Sequence, residues 1–298
     1  MSRGAIAGDI AGSRFERSLW EGASVADARC VGYCVGYDVP APRFDCRGEA
    51  ATTFQLFHPT CHPTDDTVLT IAVMDWLLDG GDPRTSLRTR FRASPRPELF
   101  GRYFRAWASA DGDEPCGSVG NGAAMRVAPV AYAADDEAAV VELARRNARA
   151  THATDDAIAG AEAVAVGVFL ARTGVPRQEI AGEIGRRFGY DLGKPLDAWR
   201  PGYRFTSACA DTVPIAFRAF LEADGHEAAI RAAVSVGGDT DTIACMAGAL
   251  AGACWGVPLR TADQVAAKLD AELLAGVLRF EHRYPAACRI AAAPGAAR

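Results

Sequence analysis

Paired aspartates beside threonines occur twice in this chain, each time at the start of an apolar stretch with helical spacing. One string, TDDT, is residues 64–67, and the other, GGDTDT, is residues 237–242. Four carboxylates that converged in one fold would repel each other strongly unless a cation lay between them. Hard oxygen donors of this kind suit Mg²⁺, Mn²⁺ or Ca²⁺ rather than zinc. The two strings together therefore predict a site for two divalent metal ions.

Each string also has a purely structural interpretation. Asp65 and Asp66 could be the capping and first-turn acids of a helix, although two adjacent acids cannot both be the single cap. Asp239 and Asp241 follow two glycines, whose backbone freedom would let a tight turn aim both carboxylates at one point. The helix that follows would offer a neighbouring helix a stripe without side chains, formed by Gly248, Gly252 and Gly256.

Three further strings could contribute to a site. Residues 116–126 (CGSVGNGAAMR) form a glycine-rich loop before a predicted helix, whose free N–H groups could bind phosphate oxygens; a plain turn is the alternative. His152 precedes a Thr-Asp-Asp string whose acids, at 155–156, are interpreted as helix-start acids, and the histidine itself could be structural. Residues 4–16 (GAIAGDIAGSRFE) favour close helix packing and end on Glu16, which by position alone could simply be solvated.

Cysteine usage indicates reduced thiols. The nine cysteines are an odd number, and several lie within apolar helical patterns, which fits a reducing compartment better than a disulfide framework. The alternative is a structural zinc, but the spacing of its candidate ligands matches zinc ribbons and fingers poorly. Those candidates are Cys30, Cys34, Cys46, Cys61 and His62.

Helical periodicity dominates the elements that must position these residues. Apolar stripes recur at helical intervals within residues 68–77, 140–143, 158–169, 215–221 and 265–277. Strict alternation is nearly absent, and residues 35–39 are the best weak candidate for a strand. The sequence therefore predicts an all-α fold. It further predicts one compact domain over residues 1–288, a long irregular loop at 24–62 and a flexible tail at 289–298.

Composition narrows the class of protein. The chain has 298 residues, of which 49% are hydrophobic and 23% charged, the balance of an ordinary globular protein. A net charge of −5 provides no basic surface for nucleic acid or for a membrane. The N-terminus lacks the pattern of a secretory signal, and the most apolar run, residues 243–257, is too short to span a bilayer. These features predict a cytoplasmic enzyme.

Five of these strings, taken in order, resemble those of the ADP-ribosylglycohydrolase family, which includes the dinitrogenase reductase-activating glycohydrolase. They are GDIAGSRFE, PTDDT, GNGAAMR, TH before a helix, and GGDTDT before a glycine-spaced helix, and they span about residues 4–256. The resemblance implies a compact all-α fold with two Mg²⁺ or Mn²⁺ ions at the bottom of a cleft. Residues 24–62 fit no string of the family and are expected to cover the target side of that cleft.

The resemblance also implies roles for individual residues. The implied metal ligands are Thr64, Asp65, Asp66, Asp239, Asp241 and Thr242, with Asp241 at the bridging position. Glu16 and Asp66 are expected to act in catalysis, Glu16 by proton transfer to the leaving group or from the water. The implied substrate-binding residues are Ser118, Gly120, Asn121 and Gly122, which would hold the diphosphate and proximal ribose, and His152, which would line the cleft.

The implied reaction is hydrolysis of the bond between C1″ of ADP-ribose and an acceptor atom, which releases ADP-ribose. The acceptor expected first is an arginine of a protein. Serine, O-acetyl-ADP-ribose and ADP-ribosylated nucleobases are alternatives, although the net charge argues mildly against a nucleic-acid target. Two readings from other classes are a metal-dependent phosphohydrolase and a non-catalytic ADP-ribose-binding protein. The expected partners are an ADP-ribosylated protein or small molecule, with no membrane.

Overall fold

The structure, a computed structural model, describes residues 2–15, 54–112, 114–201 and 203–288. These residues form helices and connecting turns and contain no β-strand, only an isolated bridge between Ser118 and His152. The prediction of an all-α fold is therefore confirmed. Several sequence predictions fall outside the described residues: those for Glu16, for the strand candidate at 35–39, for most of the segment at 24–62 and for the tail at 289–298.

The helices of the described residues follow one another with short connections. In chain order they are α1 (Ser2–Gly12), α2 (Asp65–Asp79), α3 (Pro83–Ala93), α4 (Arg102–Ser109), α5 (Gly122–Met125), α6 (Val130–Ala133), α7 (Glu137–Arg149), α8 (Asp155–Arg172), α9 (Arg177–Phe188), α10 (Leu196–Trp199), α11 (Cys209–Glu222), α12 (His226–Val234), α13 (Thr240–Trp255), α14 (Leu259–Lys268) and α15 (Ala271–Arg283). Single 3₁₀ turns occupy Pro97–Leu99 and Pro285–Cys288. None of the described helices combines the length and the apolarity needed to cross a membrane.

The central helix of this arrangement is α13. Every residue from Thr240 to Ala253 is buried, as expected for a helix that has protein on all sides. It packs against α1, α8, α11 and α12, and its contact with α1 is the most extensive of these. Apolar side chains of these helices form one large core around it. A smaller core joins α2, α3 and α4 around the rings of Phe91, Phe100 and Phe104.

Glycine makes the contact between α1 and α13 possible. A Cβ atom on Gly8 would lie 1.9 Å from the carbonyl oxygen of Ala244, and one on Gly4 would lie 2.4 Å from that of Gly248. No side chain fits at such distances, so the two backbones pack directly against each other. The small residues predicted to pack closely in α1 therefore form this interface, together with Gly248 from the stripe predicted in α13. Gly256, the last glycine of that stripe, is the C-cap of α13 and lies beyond the helix. That interface sets the distance between acidic residues on the two helices.

One predicted stripe is divided in the structure. The apolar spacing from Val265 to Val277 reads as continuous, but α14 ends at Lys268 and α15 begins at Ala271. Asp270 is the N-cap of α15, and its side chain accepts a hydrogen bond from the backbone N of Leu273 at 2.8 Å. The prediction of one continuous helical stripe was therefore wrong. A helix cap interrupts the helix there without changing which residues are apolar.

Candidate active site

Three carboxylates from distant parts of the chain meet below a cavity. Asp9 lies on α1, Asp66 in the first turn of α2 and Asp241 in the first turn of α13. One oxygen atom from each lies within 4.8 Å of the other two, and all three side chains are buried. The hydroxyl of Thr242 adds a fourth oxygen, since it donates to Oδ2 of Asp66 at 3.3 Å. The structure thus brings Asp66 and Asp241 together, as the sequence analysis expects.

Asp9 holds the first acidic string in place. Its Oδ1 accepts from the hydroxyl of Thr64 at 2.6 Å, and its Oδ2 accepts from the backbone N of Thr64 at 3.0 Å and from that of Thr67 at 3.1 Å. The hydroxyl of Thr67 also donates to Oδ2. These four donors use all of the roughly four lone-pair sites of a carboxylate. Burial raises the pKa of Asp9 despite these hydrogen bonds, each of which lowers it. Asp9 therefore acts on the turn at Thr64 more than on the cavity.

Asp65 and Asp239 line the same cavity but lie outside the group of three. Oδ2 of Asp239 accepts from Nδ2 of Asn121 at 2.8 Å, and burial raises the pKa of this carboxyl. Part of Asp65 faces the cavity, yet the surrounding protein raises its pKa to about 8. Burial is the larger cause, and the charges of Asp9 and Asp239 add to it. The acids are thus crowded enough that a cation among them would relieve their repulsion.

The second acidic string folds as a left-handed glycine turn. Gly237 and Gly238 have φ values of 84° and 75°, which side-chain-bearing residues rarely adopt. A Cβ atom on Gly238 would also lie 2.6 Å from the ring of Tyr203. The hydroxyl of Thr240 then donates to the carbonyl of Gly12 at 3.0 Å, which ties the turn to α1. The glycines are therefore required both by the backbone and by the packing.

The acids form the floor of a cavity of about 620 Å³, a size usual for small-ligand sites. One wall consists of Ser13, Arg14 and residues 58–62, and a second of residues 96–104. The third wall contains the glycine-rich loop, His152, Phe205 and Ser207. All the described residues that the sequence analysis assigns to metal or substrate thus line this one cavity.

The glycine-rich loop differs from its prediction in one respect. Ser118, Gly120, Asn121 and Gly122 line the cavity, but the helix that follows, α5, is a single turn. A helix of this length has only a small dipole, so a phosphate bound here would depend on the N–H groups themselves. The side chain of Asn121 is engaged by Asp239 and, at 3.3 Å, by the hydroxyl of Thr212. The loop therefore faces the cavity with backbone groups.

His152 is buried, with 2% of its surface exposed, and its ring lies at the cavity wall beside Gly122. Its Nδ1 is 2.8 Å from the hydroxyl oxygen of Thr151. Burial, and to a smaller extent the charge of Arg126, lowers the pKa of His152 to about 3, so the ring is neutral.

The acids at 155–156 are exposed and follow the N-cap Thr154, which confirms their interpretation as helix-start acids.

A sequence model described as ADP-ribosylglycohydrolase matches residues 3–288, nearly the whole chain. This chain belongs to the ADP-ribosylglycohydrolase family. Membership confirms the family resemblance and the prediction of a hydrolase that acts on glycosidic bonds. It also confirms that the buried aspartates belong to a fold in which a metal site is expected. The roles of individual residues stay predictions.

Similar proteins include two ADP-ribosylhydrolases named ARH3. The mouse protein is 28% identical over 265 residues, a match that covers 66% of this chain and 70% of the mouse protein. The human protein is 32% identical over 187 residues, which cover 47% of this chain and 51% of the human one. An uncharacterized protein of Archaeoglobus fulgidus is 32% identical over 147 residues, covering 44% of this chain and 48% of its own. This chain therefore spans about half the length of two of these relatives.

A solved structure described as an ADP-ribosylglycohydrolase-related protein complex has the same fold. It covers 94% of this chain and 98% of its own chain with a TM-score of 0.61. At 24% sequence identity the likeness concerns the fold. It agrees with the helical architecture of the described residues in this ADP-ribosylglycohydrolase family member.

Sequence reasoning missed several residues of the site. Asp9 had a signal, since it is a lone carboxylate in an apolar helix rich in glycine and alanine. Arg126 had one too, as a charged residue between Met125 and Val127, both of which are buried. Phe205 and Ser207 had none, because they lie in an irregular segment that only the packing of α10 and α11 brings to the cavity.

Proposed function

We propose that this chain is a divalent-metal-dependent hydrolase that cleaves the C1″ glycosidic bond of ADP-ribosylated substrates and releases ADP-ribose. The observation that carries the proposal is the buried convergence of Asp9, Asp66 and Asp241, of which Asp66 and Asp241 line a ligand-sized cavity. In a member of the ADP-ribosylglycohydrolase family, such a group of oxygen donors is best explained as part of a metal site.

The donor set fits Mg²⁺ or Mn²⁺. Carboxylate and hydroxyl oxygens are hard ligands, and the group of three contains no sulfur or imidazole. Four carboxylates line the cavity and that of Asp9 lies beside them, while the one fully buried guanidinium among the described lining residues is that of Arg126. When all six groups are ionised the net charge is five negative against one positive, or −4, which two divalent cations would neutralise. The charge balance supports two ions. The five acids are Asp9, Asp65, Asp66, Asp239 and Asp241.

We assign direct ligation to the residues of both acidic strings and support to the residues behind them. The proposed ligands are Thr64, Asp65, Asp66, Asp239, Asp241 and Thr242. Bound ions would supply Lewis-acid activation of a water and orientation of ribose hydroxyls. Asp9 fixes Thr64 through its hydroxyl and backbone N, and Asn121 fixes Asp239. Asp66, buried at the centre of this network, is proposed to stabilise the positive charge that develops on the ribose at the anomeric carbon.

The substrate is proposed to extend from this floor along the glycine-rich loop. The glycine-rich loop of Ser118, Gly120, Asn121 and Gly122 would hold the diphosphate, with His152 beside it and the backbone N–H of Gly122 as a donor. The N–H groups of Ser118 and Gly120 already donate to the carbonyl of Thr151 and to the hydroxyl of Ser118, each at 3.4 Å. This arrangement explains how an acidic protein can bind a dianion without a basic surface. The proposed partners are accordingly ADP-ribosylated proteins or small molecules in the cytoplasm.

Proton transfer is proposed to fall to Glu16, which lies outside the described residues. A glutamine at this position cannot exchange a proton but keeps the shape of the side chain. Glu16→Gln is therefore expected to lose at least about 100-fold in kcat while ADP-ribose still binds with unchanged affinity. Titration calorimetry with ADP-ribose in Mg²⁺ checks the binding. Loss of ADP-ribose binding in Glu16→Gln would show that this residue has a structural role and not a catalytic one.

Product analysis tests the function. The purified protein is incubated with ADP-ribosylarginine in Mg²⁺, in Mn²⁺ and in EDTA, and the products are separated by chromatography. ADP-ribose formed only with metal supports the proposal, AMP with ribose phosphate indicates a phosphohydrolase, and no product with any substrate indicates a binding protein. ADP-ribosylserine and O-acetyl-ADP-ribose are assayed in parallel, with arginine as the acceptor proposed first. An ADP-ribosylated nucleobase completes the set.

Asp241→Asn is the variant that tests the metal assignment. The loss of a central carboxylate is expected to lower turnover by at least about 100-fold at limiting Mg²⁺, with the helical circular dichroism unchanged. Asp155→Asn is the matched control, because Asp155 is an exposed helix-start acid outside the cavity. Normal turnover by Asp241→Asn at limiting Mg²⁺ would refute the assignment.

A further inference from the structure

A fully buried arginine, Arg126, lies at the cavity and is held by the last turn of α7 and by the residues that follow it. Nε of Arg126 donates to Oδ1 of Asn147 at 2.9 Å, and its Nη2 donates to the backbone oxygen of Asn147 at 3.2 Å. The same Nη2 donates to the hydroxyl oxygen of Thr151 at 2.7 Å. Both Arg126 and Thr151 are completely buried. Burial lowers the pKa of Arg126 to about 10, so the guanidinium stays charged at neutral pH.

The hydrogen bond to Arg126 determines the direction of the next one. A guanidinium can only donate, so the hydroxyl oxygen of Thr151 is the acceptor in that pair. The hydroxyl hydrogen of Thr151 then has one acceptor within reach among the described residues, Nδ1 of His152 at 2.8 Å. If Nδ1 carried the proton instead, the buried hydroxyl hydrogen would have no acceptor, which costs free energy. Nδ1 is therefore the acceptor, and the proton of the neutral ring is on Nε2.

The Nε2 atom of His152 is buried and has no partner with full hydrogen-bond geometry among the described residues, and the backbone of Gly120 near the ring has only a minor effect on its pKa. It is nevertheless part of a side chain that lines the cavity. Gly122 places no side chain against this edge of the ring, where a Cβ atom would lie 3.6 Å from Nε2 and 3.5 Å from Cε1. A buried donor without a partner at the wall of a cavity is the arrangement expected where a ligand supplies the acceptor.

We propose that Arg126 and Thr151 are positioning residues that fix His152 as its Nε2–H tautomer, so that the ring donates a hydrogen bond to an acceptor oxygen of the bound ligand. His152 is thereby a neutral donor, neither a cation nor a base. The identity of that ligand as ADP-ribose rests on the proposed function, whereas the tautomer is a property of the protein alone. Because the ring adjoins Gly122, the acceptor oxygen belongs to the part of the ligand held by the glycine-rich loop.

Nuclear magnetic resonance of protein labelled with ¹⁵N in its histidine rings tests the tautomer directly. The chain has five histidines, and His152→Gln assigns the signals of His152. The wild-type protein and Thr151→Ser, which keeps the hydroxyl, are expected to show Nε2–H. Thr151→Val keeps the shape of the side chain without the hydroxyl and is expected to populate both tautomers. Nδ1–H in the wild type, or an unchanged tautomer in Thr151→Val, would overturn the proposal.

Binding of ADP-ribose in Mg²⁺, followed by titration calorimetry, tests the consequence. Thr151→Val is expected to bind about five- to tenfold more weakly than the wild type, and Thr151→Ser is expected to bind equally well. His152→Ala is expected to bind ADP-ribose about tenfold more weakly than the wild type. Adding Thr151→Val to it is expected to cause no further loss of affinity, because both substitutions act through one donor. Additive losses in the double variant would count against the proposal.

Two controls separate a local effect from general damage and from failure of the proposed function. Thr173→Val removes a threonine hydroxyl at the end of α8, away from the cavity, and is expected to change neither the tautomer nor the affinity. Gly122→Ala would place a methyl group against Nε2 at ordinary contact distance and is expected to weaken binding with the tautomer unchanged. If the wild type bound no ADP-ribose, the proposed function would fail, and the ring spectrum would still decide the tautomer.

Discussion

The carboxylate of Asp9, on α1, is hydrogen-bonded to the first turn of α2. Its four hydrogen bonds go to Thr64 and Thr67, at the start of the helix that carries Asp66. Asp9 thus positions a proposed ligand, Thr64, and occupies the same group of oxygens as Asp66 and Asp241. A supporting carboxylate of this kind affects metal affinity as strongly as many ligands do.

Asp9→Asn tests this supporting role. Asparagine offers one acceptor oxygen in place of two, so the four donors of Thr64 and Thr67 cannot all be satisfied. Metal affinity and turnover are expected to fall about 10- to 100-fold, and the free energy of unfolding by about 1–3 kcal/mol. Mg²⁺ titrations of activity and urea denaturation measure the two effects. An Asp9→Asn protein with wild-type Mg²⁺ dependence would show that Asp9 has no influence on the metal site.

Crowding of carboxyl groups makes the stability of the metal-free protein fall as the pH rises from acid towards neutral. In the metal-free protein, the pKa of Asp65 is raised from 3.8 to about 8, and those of Asp9 and Asp239 are raised as well. A carboxyl with a raised pKa contributes its full stability below about pH 4 and loses it as the pH rises through the folded value. Metal-free protein is therefore expected to lose stability between about pH 4 and pH 8.

Calorimetry in EDTA and in Mg²⁺ measures this effect. The increase in Tm caused by Mg²⁺ is expected to be larger at pH 8 than at pH 5. More of the carboxylates are ionised at pH 8, and a bound cation relieves their repulsion. Equal increases at both pH values would show that the acids do not titrate with the metal site.

At the scale of elements, the spacing between α1 and α13 sets the geometry of the site. Gly8→Ala would place a Cβ atom 1.9 Å from the carbonyl oxygen of Ala244, so the helices would have to separate and carry Asp9 away from Asp241. The expected result is a loss of about 2–4 kcal/mol in the free energy of unfolding together with a loss of Mg²⁺ affinity. Urea denaturation and Mg²⁺ titration check the two quantities.

Gly182→Ala is the matched control for this contact. Gly182 lies inside α9, where a Cβ atom would meet nothing within 4 Å. Alanine is the better helix former, so this variant is expected to gain about 0.5–1 kcal/mol in stability with its Mg²⁺ affinity unchanged. If Gly8→Ala behaved like Gly182→Ala, the tight helix contact would have no part in forming the site.

The sequence predicted most of the elements, because apolar spacing and glycine turns are local signals. It also predicted that Asp66 and Asp241 meet, because two strings of paired carboxylates and hydroxyls indicate a shared site for cations. It did not predict Asp9, whose partners lie more than fifty residues away, or the cap at Asp270, which interrupts an unbroken apolar spacing. Such features depend on tertiary contacts or on a single hydrogen bond, and neither changes the hydrophobic pattern that sequence reasoning uses.

At the scale of the whole molecule, buried histidines limit stability in acid. His226, at the start of α12, is buried, and neither ring nitrogen has a partner with full hydrogen-bond geometry among the described residues; the backbone of Gly4 near the ring raises its pKa only slightly. Burial is the main cause that lowers its pKa from 6.5 to about 4. Between these two values the unfolded chain binds the proton and the folded one does not, so stability falls as the pH drops from about 6.5 to about 4.

His226→Leu tests this source of acid sensitivity. The shift corresponds to about 2–3 kcal/mol of stability lost by pH 4.5 in the wild type. A leucine at this position cannot titrate, so the decline in unfolding free energy between pH 7 and pH 4.5 is expected to be smaller by about that amount. Urea denaturation at the two pH values measures it, and an identical decline in both proteins would contradict the assignment to His226.

The pairing of α1 with α13 has a consequence during synthesis. The hydrogen bond from Thr240 to Gly12 joins residues 228 positions apart. A ribosome therefore releases α1, with its bare glycine surface, long before its partner has been translated. Until then that surface of α1 lacks its packing partner, and the proposed metal site lacks Asp241. Fragments cut between the two helices should therefore bind the ion only when mixed, which makes metal uptake a reporter of completed folding.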